Sequence, residues 1–179
     1  DATEGLQKAA DFIRFCDAFS IPVLSLVSAT GFDTTVANEK GAAREAARLI
    51  HTFADASAPK VTLLTGEAYG SAYLTMNSGH IGADLVYAWP TASVGMMPAE
   101  NAVKIIYNDE INASDDAQGL IAEKAAAYAA LQTSPESAAG RGYVDAMIEP
   151  ESTRQHLIAA FEMLYSKRAV RPSKKHSTL

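Results

Sequence analysis

Residues 61–78 read VTLLTGEAYGSAYLTMNS. The apolar run 61–65 is introduced by Pro59 and ends at Gly66, which marks a strand. Small residues then carry the chain through a turn, and a short helix is expected over about 71–78. A strand that feeds a helix through a small-residue turn is the building unit of an α/β layer.

The same alternation extends in both directions. Upstream, Leu6, Ala9, Ala10, Ile13 and Cys16 recur at helical spacing, as do Phe12, Phe15 and Phe19, so a helix is expected over 6–19. Ser20 and Pro22 stop it. IPVLSLV, 21–27, reads as a short buried strand, and 28–38 as a polar loop. The next helix places Ala43, Ala46, Ala47, Ile50, Phe53 and Ala54 on one face, with Asn38 as its expected N-cap. Downstream, strands are expected at 84–88 and 93–96 around Trp89 and Pro90. A helix over 99–107 would carry Pro98 at its first position. An alanine-rich helix is expected over 113–131, and Ser134-Pro135-Glu136 starts a short one. Residues 144–148 read as a strand before a final helix over 151–168, with Leu157, Ile158, Phe161, Leu164 and Tyr165 on one side. The order predicts one α/β domain, 1–168, with a largely parallel sheet. The tail 169–179 holds Arg171, Lys174, Lys175 and His176 and no acid. It reads as a solvated tail, with a docking segment as the alternative.

Composition narrows the function. The chain has 179 residues and a net charge of -6, so a dedicated nucleic-acid binder is not expected. Its 34 alanines fit closely packed helices. The lone Cys16 excludes an internal disulfide framework and a cysteine zinc cluster. Asp1 and Glu4 stand where a signal peptide needs basic residues, and the longest apolar run is too short to span a bilayer. A cytoplasmic location is the default expectation.

No two of His51, His80, His156 and His176 lie at metal-ligand spacing, so no metal site is predicted. Phosphate-loop motifs are absent as well. Gly70-Ser71-Ala72 has the strand-turn-helix setting of a nucleophile elbow, but Tyr69 and Tyr73 occupy the glycine positions. Ser71 is better explained by the turn's need for a small residue. The first turn of a helix leaves backbone N–H donors unpaired, and two such donors can form an oxyanion hole without any side chain.

Four collinear stretches resemble one family: KAADFIRFCDAFSIPVL (8–24), EAYGSAYLTMNSGHIGADLVYAWPTASVGMM (67–97), AAGRGYVDAMIEP (138–150) and RPSKKH (171–176). They look like the C-terminal half of biotin-dependent acyl-CoA carboxyltransferases, the family of propionyl-CoA carboxylase β subunits and biotin-dependent decarboxylases. The resemblance implies a crotonase-like α/β fold, a superhelix of stacked ββα turns, here without its first strands. It implies carboxybiotin on a carrier domain and a coenzyme A thioester as reactants. The implied partners are an N-terminal carboxyltransferase half, biotin carrier and biotin carboxylase subunits, and further copies in a homo-oligomer. A membrane would be met only through a decarboxylase complex.

By the same resemblance, the N–H groups of Ser71 and Ala72 are the candidate oxyanion hole. Gly31, Phe32, Gly70, Tyr73, Leu74, Pro98 and Ala99 are candidate biotin or substrate contacts. The chain departs from the family pattern at several of these positions. Ser71 replaces a glycine, and Leu74 replaces an acidic or polar residue linked with acyl choice. Ser28 to Phe32 lack the usual proline, and Met97 to Ala102 lack two glycines. Two alternatives remain open at this level: a non-catalytic scaffold half, and a serine hydrolase on the same fold.

Overall fold

The structure, a computed structural model, describes residues 2–33 and 35–170. Helix α1 (Ala2–Ala18) buries Leu6, Ala10, Ile13 and Cys16, the stripe its spacing required. It begins earlier than expected, with Glu4 in the first turn, where an acid suits the positive helix end. Phe12, Phe15 and Phe19 stay exposed.

Strand β1 (Val23–Ala29) follows. The 28–38 loop contains a short helix, α2 (Val36–Glu39), capped by Thr35. That extra turn corrects the expected role of Asn38. Its Oδ1 accepts from the Ala2 N–H at 3.2 Å, and α3 (Ala42–Asp55) starts at Gly41 with no side-chain cap.

Strand β2 (Lys60–Tyr69) is longer than 61–65 because it serves three neighbours. Its first half pairs with β1 on one side and β3 (Leu85–Ala88) on the other, and Glu67–Tyr69 pairs with β4 (Ser93–Gly95). Helix α4 (Gly70–Thr75) is shorter than 71–78, and Asn77, at φ 60°, turns the chain away soon after it. Pro98 is the N-cap of α5 (Ala99–Ile106) rather than its first residue.

The helix expected over 113–131 starts later, at Ala117. Helix α6 (Asn108–Ala113) precedes α7 (Ala117–Tyr128), which Asp116 caps by accepting from the Gly119 N–H at 2.9 Å. A π-turn, Ala129–Thr133, ends it. Helix α8 (Pro135–Gly140) starts at the Ser134 cap as its sequence predicted, and Gly142, at φ 81°, carries the chain past its end. Within the expected strand 144–148, Ala146–Met147 forms β5 against β3, the Asp145 and Ile148 N–H groups donate to the Val86 and Ala88 carbonyls at 2.8 and 2.9 Å, and Val144 and Ile148 are buried. A single 3-10 turn (Pro150–Ser152) leads into α9 (Thr153–Leu164).

Every pairing is parallel, in the order β1-β2-β3-β5 with β4 beside the far half of β2. Side chains alternate across a strand. Val23 packs with α1 and α3 around Ile13, Cys16, Leu49 and Phe53. A second cluster joins Val27, Leu64, Tyr73, Val86 and Val94. Leu24 and Leu26 point to the opposite face and are half-exposed, which corrects the reading of 21–27 as a buried strand. Helix α9 crosses that opposite face and is tied down at both ends. Trp89 Nε1 donates to Thr153 Oγ1 at 2.9 Å. Lys167 Nζ donates to Asp84 Oδ2 at 2.8 Å and to the Ala58 carbonyl at 3.2 Å. No helix of the described residues is long and apolar enough to cross a membrane. The RPSKKH stretch and most of the basic tail lie outside the described residues.

Candidate active site

In a parallel sheet all strands end at one rim, and ligands of α/β proteins gather outside that rim. Strand β2 reaches it at Tyr69, whose backbone is extended (φ -117°, ψ 140°). Gly70 then turns to φ 58°, a conformation that L side chains rarely adopt. A Cβ at this position would also lie 3.0 Å from the Met96 carbonyl oxygen. The loop after β4 therefore lies directly against the turn after β2, and glycine is what allows the approach.

Helix α4 starts here. Ser71 is exposed, whereas Ala72 and Tyr73 are buried. Among the described residues no acceptor is found for the Ser71 or Ala72 N–H. Both belong to the first helical turn, where intrahelical partners do not exist.

The far end of α4 is tied back to the strand that delivered it. Thr62 Oγ1 donates to the Asn77 carbonyl at 2.6 Å, and Asn77 Nδ2 donates to Thr62 Oγ1 at 3.0 Å. Thr75 Oγ1 closes onto the Ser71 carbonyl at 2.7 Å. These bonds hold the donor-bearing turn in one position.

The candidate residues separate into two groups. Gly70, Ser71 and Ala72 meet the Met96 backbone, and Pro98 and Ala99 follow within three residues at the cap of α5. Gly31 lies two residues past the end of β1 and is exposed on the same rim. The others serve the core. Phe32 packs against the α1–α3 cluster, and Leu74 against the cluster around Val27 and Val86. Tyr73 is buried in that second cluster with its hydroxyl unpartnered. Burial, and then the neighbouring Tyr143, push its pKa up to about 12, so at neutral pH it is an uncharged phenol.

Among the described residues no base is hydrogen-bonded to the Ser71 hydroxyl. His80 lies against the Tyr143 ring at 4.7 Å and the edge of Tyr73 at 6.2 Å. Its hydrogen-bond reach to the Ser71 hydroxyl is not realised among the described contacts. Among the described residues no three His, Cys, Asp or Glu side chains gather as metal ligands.

Sequence reasoning missed two neighbours of the site. Met96 acts through its carbonyl oxygen, and side-chain chemistry carries no signal for that. Thr133, in the π-turn, is buried with its methyl 3.0 Å from a Cβ built on Gly95. A break in the helical pattern near Leu131 was the only available hint.

Comparison with known proteins gives a consistent picture. Residues 2–179 match a family model described as the carboxyl transferase domain. The chain is 45% identical over 177 residues to the propionyl-CoA carboxylase carboxyltransferase subunit of Haloferax mediterranei, covering 98% of this chain and 34% of that protein. It is 43% identical over 170 residues to the methylmalonyl-CoA carboxyltransferase 12S subunit of Propionibacterium freudenreichii subsp. shermanii, covering 94% and 32%. Among solved structures it superposes on one chain of the transcarboxylase 12S crystal structure with methylmalonyl-coenzyme A and methylmalonic acid bound. The TM-score is 0.93 at 41% identity, over 98% of this chain and 34% of that one. The geranyl-CoA carboxylase β subunit of P. aeruginosa shares the fold, with a TM-score of 0.77 at 23% identity over 96% of this chain and 34% of its own. The chain thus spans about a third of the length of the curated relatives it matches.

Proposed function

The chain belongs to the carboxyl transferase domain family and has its crotonase-like α/β fold, and from that premise we propose that it is the carboxybiotin-accepting half of a biotin-dependent acyl-CoA carboxyltransferase. Residues 1–168 form this half, and 169–179 its basic tail. An acyl-CoA-holding half completes the active site, biotin carrier and biotin carboxylase subunits supply the carboxyl group, and the assembly is oligomeric. The hexamer of the similar transcarboxylase 12S supports the last point.

The observation that carries the reading is the Ser71 and Ala72 N–H pair at the sheet rim, for which no acceptor is found among the described residues, on a turn tied back by the Thr62–Asn77 bonds. Carboxybiotin, when bound, supplies an activated carboxyl group and a ring carbonyl oxygen that gains negative charge as that group leaves. The two N–H groups stabilise that oxygen, and preorganised donors act without reorganising during the reaction. Gly70 fixes the direction of the turn. The Met96 to Ala99 segment closes one side of the site, and Gly31 lies on the rim beside it. The buried Tyr73 and the partly buried Leu74 support the turn from the core side. These residues fit the group through backbone donors, so replacing a glycine with Ser71 retains the N–H that matters.

The test is carboxyl transfer in the complete enzyme. Ala72→Pro removes one donor at a first-turn position where the helix does not need it. Transfer should fall about 100- to 1,000-fold, the typical cost of one oxyanion donor, in enzyme shown to be folded by its thermal unfolding transition. Ser71→Gly should keep activity. A folded Ala72→Pro enzyme with full activity would remove the assignment.

A further inference from the structure

Residues 30–32 span the gap between the end of β1 at Ala29 and Asp33. Gly31, the candidate rim residue, is the exposed middle of that span. Where it stands depends on how the two ends are held. Pairing with Ala68 of β2 holds Ala29. The other end is held from inside the fold, by Asn38 of α2.

Asn38 is only 4% exposed, whereas Val36 and Glu39 of the same short helix are exposed. Its Nδ2 donates to Asp33 Oδ2 at 3.3 Å and to the Asp33 carbonyl at 3.5 Å. Its Oδ1 accepts from the Ala2 N–H at 3.2 Å, across 36 residues of sequence. A backbone N–H only donates and a carboxylate only accepts, so the two partners fix the amide in this one orientation. An alkyl side chain here would bond neither partner, and a carboxylate would meet Asp33 with like charge. The bond to Asp33 is charge-assisted, the stronger class.

The bridge ends on a rigid frame. Ala2 opens α1, and a Cβ on Gly41, just before α3, would lie 3.0 Å from Thr3 Cγ2, so the two helix starts already touch. Phe32 packs against the same α1–α3 cluster. Asn38 thus joins the start of α1 to the residue that closes the Gly31 span. A three-residue span fixed at both ends has few conformations left, and freeing one end restores many of them.

We propose that Asn38 is a positioning residue: by bridging the start of α1 to Asp33 it fixes Gly31 on the rim, and through Gly31 it sets how tightly the enzyme holds carboxybiotin. The link to carboxybiotin rests on the carboxyltransferase reading, whereas the bridge does not.

A swapped pair tests this. Asn38→Asp keeps an acceptor for the Ala2 N–H but sets a second carboxylate against Asp33. Adding Asp33→Asn restores a donor–acceptor pair with the roles exchanged. In the full chain, the NMR order parameter of the Gly31 amide should fall from about 0.85 to below about 0.6 in Asn38→Asp, and recover in the double variant. In the complete enzyme, Asn38→Asp should raise the KM for a carboxylated biotin carrier by about five- to tenfold, with kcat and the KM for propionyl-CoA within about twofold, and the double variant should reverse the change. A general loss of fold would instead lower the active fraction and leave both KM values alone. Asp33→Ala, at an exposed position, serves if Asn38→Asp does not fold, and should loosen the Gly31 amide to a smaller degree.

An unchanged Gly31 order parameter in Asn38→Asp and Asp33→Ala overturns the bridge. So does a defect that Asp33→Asn fails to repair. A loosened Gly31 with an unchanged KM for the carrier overturns the link to carboxybiotin. If the unsubstituted complete enzyme transfers no carboxyl group, the carboxyltransferase reading fails, and the order parameters still decide the bridge.

Discussion

Tyr73 is buried with a hydroxyl that finds no partner among the described residues, and the consequence can be read in pH. In the folded chain its pKa is pushed up to about 12 by burial and then by Tyr143, against an ordinary 10.0. The folded state therefore binds the proton more tightly than the unfolded state. The associated stability is complete below pH 10 and is lost as the pH rises toward 12. Denaturant titrations should show stability falling by on the order of 2 kcal/mol across that window. In Tyr73→Phe most of that fall should disappear, leaving the smaller slope from Tyr87, whose pKa burial and then Asp145 also raise. At pH 7 the substitution should be neutral or slightly stabilising, because it removes an orphaned polar group without opening a cavity. An unchanged alkaline slope would show that the phenol is solvated in solution.

At the scale of elements, α9 depends on its anchors more than on its packing. Ala160 is its only buried residue, while Ile158 and Met163 are 50% and 63% exposed. Lys167→Met should remove the partly buried pair with Asp84, leaving that carboxylate only the Lys60 N–H at 2.8 Å. The expected cost is about 1–2 kcal/mol, above an exposed pair and below a fully buried one. Amide exchange should show α9 opening before the rest of the fold. This element also marks the limit of what periodicity reveals. The helical stripe from Leu157 to Tyr165 was legible, but an apolar stripe does not say whether its partner is present. The α1 stripe and the Ser134-Pro135-Glu136 start held because their partners lie within the chain. The later start of the 113–131 helix is set by the Asp116 cap, which apolar periodicity alone does not reveal. At the site, the strand-turn-helix context of Gly70 to Ala72 was visible in sequence. The closeness of Met96 was not, since it is a backbone contact made through a parallel crossover.

For the whole molecule, the proposed role of the Ser71 and Ala72 N–H groups predicts that activity needs a further half of the enzyme. Incubated with a carboxylated biotin donor and propionyl-CoA, the chain alone should give no transfer above background. With the acyl-CoA-holding half added, transfer should appear. Activity from the isolated chain would mean that the acyl-CoA site lies within these 179 residues.

The all-parallel sheet also sets the order of events in time. Parallel neighbours cannot be joined by a tight turn, so each pairing must wait for a crossover to form. The bond from the Val86 N–H to Asp145 closes 59 residues, and the Lys167–Asp84 pair closes 83. Chains dominated by such distant contacts refold slowly for their size. During synthesis, Asp84 leaves the ribosome long before Lys167, so the nascent chain makes its rim turn first and receives its last clamp only when translation of this segment is nearly complete.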